Sequence, residues 1–312
     1  MQSMRKIIRV LAILALILVA APTAALAQQV QQQMRFASAD DAVQGLYEAV
    51  KSQDRKKIVA VVGARAVEWI YSGDAVADRN ASEKFAAAYQ ERHALEARGD
   101  DRMELVVGKD SYPFPFPIVR VAGRWSFDAE QGKQELLKRR IGRNELDTIE
   151  VVLAIVDAQR DYAAQARDGR RTLQFAQNIV SAPGKQDGLY WPTKAGEPPS
   201  PLGSLVAAAV REGYALPSGP KAQPTPYHGY FFRILKEQGK DAPGGAYSYV
   251  ANGRMIGGFA VLAYPATYAN SGVMSFIISA DGIVYAKDLG PNTAAAAAAL
   301  RAYNPDSTWI KQ

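Results

Sequence analysis

The chain is 312 residues long, has no cysteine and only two histidines, and carries 37 basic against 31 acidic residues. The lack of cysteine excludes disulfide staples, thiol catalysis and thiolate metal sites, so stability has to come from an ordinary apolar core. The formal charge of +6 includes three basic residues near the N-terminus; without them 34 basic residues face 31 acidic ones, and a surplus of 3 is too small to argue for nucleic acid or an anionic membrane as partner.

Those three residues, Arg5, Lys6 and Arg9, open a segment with the layout of a secretory signal. An apolar run at 10–21 follows, then Pro22 and the small-residue site Ala25-Leu26-Ala27. The run is about a dozen residues, shorter than the roughly 20 that span a bilayer. Residues 1–27 therefore read as a signal peptide cleaved after Ala27, which predicts a periplasmic or secreted protein with no stable membrane span after cleavage. The next stretch, QQVQQQMR at 28–35, has no packing pattern and reads as a disordered leader.

Ser38 with Asp41 three residues on forms a short-armed capping box, and Ala42, Val43, Leu46, Tyr47 and Val50 make the buried face of a first helix. Asp54 can cap a second helix through Val62, and 65–72 continues as helix or turn with Trp69 and Ile70 inward. Ser82 is placed to cap a third helix carrying Phe85, Tyr89, His93 and Leu95, which Gly99-Asp100-Asp101 ends. The period then changes: Met103, Leu105 and Val107 alternate with polar neighbours, as do residues 124–127, so strands are expected. Between them SYPFPFPI at 111–118 has three prolines, which favour extended or edge geometry. Residues 36–130 thus read as a small α+β unit.

Residues 144–167 read as one long central helix. Leu146, Ile149, Leu153 and Val156 recur at helical spacing, Val152, Ile155 and Tyr162 widen the stripe, and Gly169 is placed to stop it. The run 151–156 is apolar all round, which predicts burial for two turns. Proline-rich loops at 182–201 and 217–226 flank a further helix over 202–213. Strands follow at 229–235, at 247–250 and 255–264 around Asn252-Gly253, and at 273–279 and 283–287 around Asp281-Gly282. They predict an antiparallel meander of four or five strands, with the central helix as its cover and a last helix over 293–303. The fold class is α+β: an N-terminal helical and small antiparallel-sheet unit, then a long central helix and a C-terminal antiparallel β-meander packed on helices over 131–312.

Several segments carry a family resemblance: RRIGRNEL at 139–146, DAQRDYA at 157–163, GYFFRIL at 229–235 and NGRMIGGFAVLAYPATYANSGVMSFIISADGIVYAKDLG at 252–290. Together they resemble the bacterial family catalogued as domain of unknown function 2950, and the resemblance covers nearly the whole chain after the signal. It implies an exported protein and no particular activity, and it carries over no catalytic residue. AVQGLYEAVKSQD and GRWSFD in the N-terminal half resemble nuclear-transport-factor-2-like and cystatin-like folds. The layout of a long helix followed by an antiparallel meander is similar to pilin-like heads.

Signals for chemistry are sparse. No G-x-S-x-G elbow, G-x-x-x-x-G-K loop or G-x-G-x-x-G fingerprint occurs, and no cofactor or metal is expected. The sharpest polar feature is the cluster Lys138, Arg139, Arg140, Arg143, Asn144 and Glu145. Its guanidinium forks could hold a carboxylate or phosphate, helped by a helix N-terminus near Asn144. Internal ion pairing through Glu135–Arg139 and Arg143–Asp147 is the preferred reading. Tyr190, Trp191, Tyr227 and Tyr230 flank the proline-rich loops and, with His228, complete the set of candidate ligand-binding residues. The expected function is a non-catalytic binding or interaction protein whose partner is an envelope protein, peptide or glycan. The rivals are a periplasmic hydrolase using His228 with Asp187 or Asp241, and a pilin-like assembly component.

Overall fold

Helix α1 (Ala39–Lys51) starts where its capping box places it, with Ser38 Oγ accepting from the Asp41 N–H and the Asp41 carboxylate from the Ser38 N–H. The structure, a computed structural model, describes residues 33–166, 173–215 and 225–312. Asp54 caps α2 (Arg55–Val62), and a short 3-10 helix, Ala64–Glu68, follows with Trp69 buried behind it. Helix α3 (Ala75–Glu91) starts earlier than the sequence suggests. Asp74 is its cap, accepting from the N–H groups of Val76 and Ala77 at 3.1 and 3.0 Å. Ser82 lies inside the helix and donates its hydroxyl back to the Asp78 carbonyl, the usual fate of a serine whose own N–H is already in the helical ladder.

The helix also ends sooner, so His93 and Leu95 lie on a strand, β1 (His93–Ala97). It forms a hairpin with β2 (Arg102–Val107) through the Gly99-Asp100-Asp101 turn, and β3 (Tyr112–Pro113), β4 (Ile118–Val121) and β5 (Arg124–Phe127) complete an antiparallel sheet in the order β1-β2-β4-β5. Pro113 sits in β3, a two-residue strand beside β2. The β5 edge is closed by Phe36, whose N–H and C=O both pair with Trp125. The end of the glutamine-rich leader is not free. Gln33 Nε2 donates to the carbonyls of Phe127 and Val62 at 2.7 and 2.9 Å, and the Met34 N–H bonds the Ala60 carbonyl. The remainder of the leader, 28–32, lies outside the described residues.

The central helix α4 (Ala129–Ala163) has 35 residues and is capped by Asp128. It begins fifteen residues before Asn144 because the glycines and charges of QGKQELLKRRIGR are all accommodated in the helix. Gly132 lies against Phe116 so closely that a Cβ there would collide with the ring. The buried stripe is Thr148, Val151, Val152, Ile155, Val156, Gln159 and Tyr162. Leu146 and Leu153 instead face outward, 67% and 39% exposed. The helix is therefore half-buried, not sheathed all round, since Thr148 and Gln159 take inward positions with their polar atoms bonded. Gln159 replaces a backbone pairing partner: its amide bonds both the C=O and the N–H of Ala176 at 2.8 Å. Gly169 lies outside the described residues.

After a short parallel pair, β6 (Asn178–Val180) and β7 (Gly188–Tyr190), comes α5 (Gly203–Arg211), ended by Gly213 at φ +99°. Then β8 (Tyr230–Leu235), β13 (Ala260–Pro265), β14 (Met274–Ser279), β15 (Val284–Asp288) and β16 (Ile310–Lys311) make the main antiparallel sheet, ordered β16-β15-β14-β13-β8. Between β8 and β13 lie two small ladders, β9 (Glu237–Gln238) with β10 (Tyr247–Ser248) and β11 (Val250–Ala251) with β12 (Arg254–Met255). Asn252 and Gly253, both at positive φ, turn the second. A last helix, α6 (Thr293–Ala299), packs on β13, as does α4. Arg233 on β8 caps the far end of α6 by donating to the carbonyls of Ala297 and Leu300.

The class is α+β with a long central helix. One core gathers around Leu46, Leu105, Ile118 and Phe127, and a second around Val152, Ile155, Tyr230 and Phe276. Helix α4 serves both: Leu136 and Leu137 pack on the first, and its second half belongs to the second.

Candidate functional site

The polar groups of the chain converge where α4 passes from one core to the other. Arg140, half-buried on α4, donates Nη1 to the Trp69 carbonyl and Nη2 to the Ile70 carbonyl, each at 2.8 Å, and Nη1 also bonds Asn270 Oδ1. Asn270 in turn donates Nδ2 to the Tyr71 carbonyl at 2.8 Å. The free carbonyls at the end of the 3-10 helix are thus satisfied by one guanidinium and one amide. Burial lowers the pKa of Arg140, and Arg143 adds to this, while Asp78 opposes it. One turn along, Asn144 Nδ2 donates to the Ser271 carbonyl and Glu145 Oε1 accepts from the N–H groups of Val273 and Met274.

On the neighbouring side Asp74, 2% exposed, joins three elements. One oxygen caps α3; the other accepts from the Tyr214 hydroxyl at 2.8 Å and the Gly229 N–H at 3.1 Å. Burial, then the Asp74 charge, pushes the Tyr214 hydroxyl up, so it stays a donor. Residues 227–230 form a tight hairpin, with mutual Tyr227–Tyr230 backbone bonds around His228 at φ +50° and Gly229 at φ +77°. A side chain at Gly229 would meet Asn144 Nδ2 at 2.7 Å.

This turn aims His228 between two carboxylates: Nδ1 lies 3.0 Å from Asp147 Oδ2 on α4, and Nε2 lies 2.8 Å from Glu212 Oε2 at the end of α5. Both neighbours are acceptors, and an imidazole supplies a hydrogen to each only with a proton on both nitrogens. Tyr227 lies against the ring, centroids 4.1 Å apart. Burial, then Glu212 and Asp147, pushes the Tyr227 hydroxyl up to about 12. General-base catalysis needs a ring nitrogen within reach of the proton it removes, and both nitrogens here face internal acids. Among the described residues no group of three histidine or carboxylate side chains is arranged for a metal ion.

The sequence-predicted residues are divided by this geometry. Arg140, Asn144, His228 and Tyr230 meet at the joint, Tyr230 fully buried with its hydroxyl on the Met274 carbonyl. Arg139 makes the expected pair with Glu135 and also bonds the Pro113 carbonyl, its guanidinium over the Tyr112 ring. The Arg143–Asp147 pair does not form: Arg143 is exposed and Asp147 turns to His228. Asn144 stands mid-helix, so its region offers no free N–H groups to an anion. Tyr190 and Trp191 belong to and follow β7, where Trp191 is buried. Asp187 accepts from the Ala182 N–H and Asp241 bonds Asn304, so neither acid serves His228.

Asp74, Glu212, Tyr214 and Asn270 are the site residues that sequence reasoning missed, and Asp147 was matched to Arg143 in place of His228. For Asp74 a signal existed, an aspartate directly before a helical run. For the others no spacing rule links positions so far apart. A family model described as "Protein of unknown function (DUF2950)" matches residues 33–312. The chain belongs to the DUF2950 family. No curated protein and no solved structure matches it. In this DUF2950 chain three of the segments that carried the resemblance meet at the joint: RRIGRNEL brings Arg140, Asn144 and Glu145, GYFFRIL brings Gly229 and Tyr230, and the strand-linking ANSGVM brings Asn270 and Ser271.

Proposed function

We propose that the protein is an exported, non-catalytic binding or interaction protein of the cell envelope. The observation that carries this reading is the use made of its reactive groups. Both nitrogens of His228 face internal carboxylates, and the Arg140 guanidinium is engaged by carbonyl oxygens. Such an arrangement ties elements together and offers no nucleophile–base pair to a substrate. Purified protein spanning 28–312 should turn over none of a panel of chromogenic esters, anilides, glycosides and phosphate esters. Turnover of any of them that His228→Gln abolishes, with the unfolding midpoint kept, would make the histidine catalytic and overturn the proposal.

Export rests on the basic residues, the short apolar run and the Ala25-Leu26-Ala27 site. Mass spectrometry of the native protein from the envelope fraction should find an N-terminus at Gln28. A chain still beginning at Met1 in the inner membrane would refute it.

A further inference from the structure

The N-terminal sheet ends in β1, an edge strand beside which no further strand pairs among the described residues. In antiparallel pairing the residues of a strand alternate between those that exchange hydrogen bonds with the neighbour and those that do not. Around the β1–β2 ladder the bonds Arg98 N–H to the Arg102 carbonyl and Gly108 N–H to the Arg92 carbonyl set the phase. Ala94 and Glu96 therefore bond β2, while His93, Leu95 and Ala97 turn their N–H and C=O groups to the open side. Among the described residues no strand pairs there. Free edges normally carry a lysine, a proline or a bulge that prevents further pairing, and none of the three outward residues supplies one. The opposite edge, β5, is closed by Phe36.

Beside this edge lies a cavity of about 400 Å³, half open to solvent, with Asp40, Asp41 and Gln44 of α1 as one wall and Tyr89, His93 and Leu95 as the other. Its aromatic wall is Tyr89 stacked on His93 with centroids 3.8 Å apart, and Tyr47, outside the lining, stacks on Tyr89 at 4.5 Å. His93 Nδ1 is fixed 2.9 Å from the Tyr89 carbonyl oxygen. The lining has two carboxylates, one imidazole and no lysine or arginine. Asp41 is held in the capping box, whereas Asp40 is exposed and has no hydrogen-bond partner among the described residues.

We propose that β1 accepts an extended peptide as an added antiparallel strand, with a basic side chain of that peptide entering the cavity toward Asp40. Main-chain bonds to His93, Leu95 and Ala97 supply affinity, and the acidic wall supplies selectivity, the division of labour seen wherever a peptide extends a sheet. The proposal rests on the reading of the protein as an interaction module and names the kind of partner.

The test uses two synthetic nonapeptides of alternating threonine and valine, one with a central lysine and one with a central glutamate, titrated into isotope-labelled protein spanning 28–312. The lysine peptide should shift and protect the amides of His93, Leu95 and Ala97 and bind at least about tenfold more tightly than the glutamate peptide, one such factor being about 1.4 kcal/mol. Ala97→Pro removes an outward N–H that bonds nothing among the described residues, a position where an edge strand tolerates proline; it should weaken binding about tenfold or more. Asp40→Lys, which leaves the backbone alone, should reverse the preference between peptides. Equal binding of both peptides, no perturbation of β1, or unchanged binding by Ala97→Pro would overturn the proposal. So would a concentration-dependent dimer of the wild-type chain that Ala97→Pro dissociates, since the occupant is then a second copy. None of these results bears on the substrate panel, so the broader reading fails or stands separately.

Discussion

Asp74→Ala should lower the unfolding free energy by about 5 kcal/mol. The carboxylate is 2% exposed and receives four donors. Loss of a helix N-cap costs about 1 kcal/mol. The Tyr214 hydroxyl and the Gly229 N–H lose a charged acceptor inside the protein, at about 1.5–3 kcal/mol each. Against a total stability of roughly 5–15 kcal/mol the variant stands close to unfolding at ambient temperature. Asp74→Asn should recover part of the loss, because its amide oxygen can still cap α3 while its NH2 group opposes the Gly229 N–H. Urea denaturation followed by tyrosine and tryptophan fluorescence measures all of this. A midpoint for Asp74→Ala within error of the wild type would show that the joint contributes nothing to stability.

Arg140→Ala should cost about 3–5 kcal/mol, for the same reason with the charges reversed. Removal of the guanidinium strands the carbonyls of Trp69 and Ile70 and the Asn270 side-chain oxygen, and hydrogen bonds from a charged donor are worth about 1.5–3 kcal/mol each. Arg140→Lys should restore less than half, since an ammonium cannot present two parallel N–H groups to two adjacent carbonyls. The neighbours are the control. Arg143 and Lys138 are exposed, and alanine at either position should change stability by no more than about 0.5 kcal/mol. Equal losses at Arg140 and Arg143 would contradict the geometry and point to a shared electrostatic role for the cluster.

The sequence carried the local elements well wherever a single stretch determined them. The capping box at Ser38, the Asp54 cap and the hairpin at Asp281-Gly282 all depend on residues a few positions apart and form as read, whereas at Asn252-Gly253 the turn forms but closes only a two-residue ladder, 247–248 and 260–265 pairing elsewhere. The start of α4 was hidden because Gly132 signals a break in isolation and is required only by the Phe116 ring, which packs from another element. The buried stripe of α4 was misplaced for a related reason: Thr148 and Gln159 are inward polar residues whose partners, Asn144 O and Ala176, only the fold reveals. At the joint the charge cluster was visible, and its structural role was the preferred reading, but only Arg139 takes the expected carboxylate partner, Glu135. Arg140 holds backbone carbonyls, and a carbonyl has no sequence signature. His228 likewise stood out alone, while Asp147 and Glu212 reach it from two different helices.

The bond between Asn270 Nδ2 and the Tyr71 carbonyl closes a loop of 199 residues, and that separation sets an order of events during biosynthesis. A chain made from its N-terminus exposes α1 to α3 and the first sheet long before Asn270 exists. Until then the carbonyls of Trp69 and Ile70 can meet only Arg140, the Tyr71 carbonyl lacks its amide donor, and Asp74 waits for Tyr214 and Gly229, the latter 155 residues away. Contacts so distant along the chain slow folding, because the closure entropy is met before the contact rewards it. The N-terminal half therefore cannot finish on its own as it emerges. Its polar ends gain their last partners only when the 267–272 loop, made after most of the polypeptide, reaches a helix end formed near the beginning.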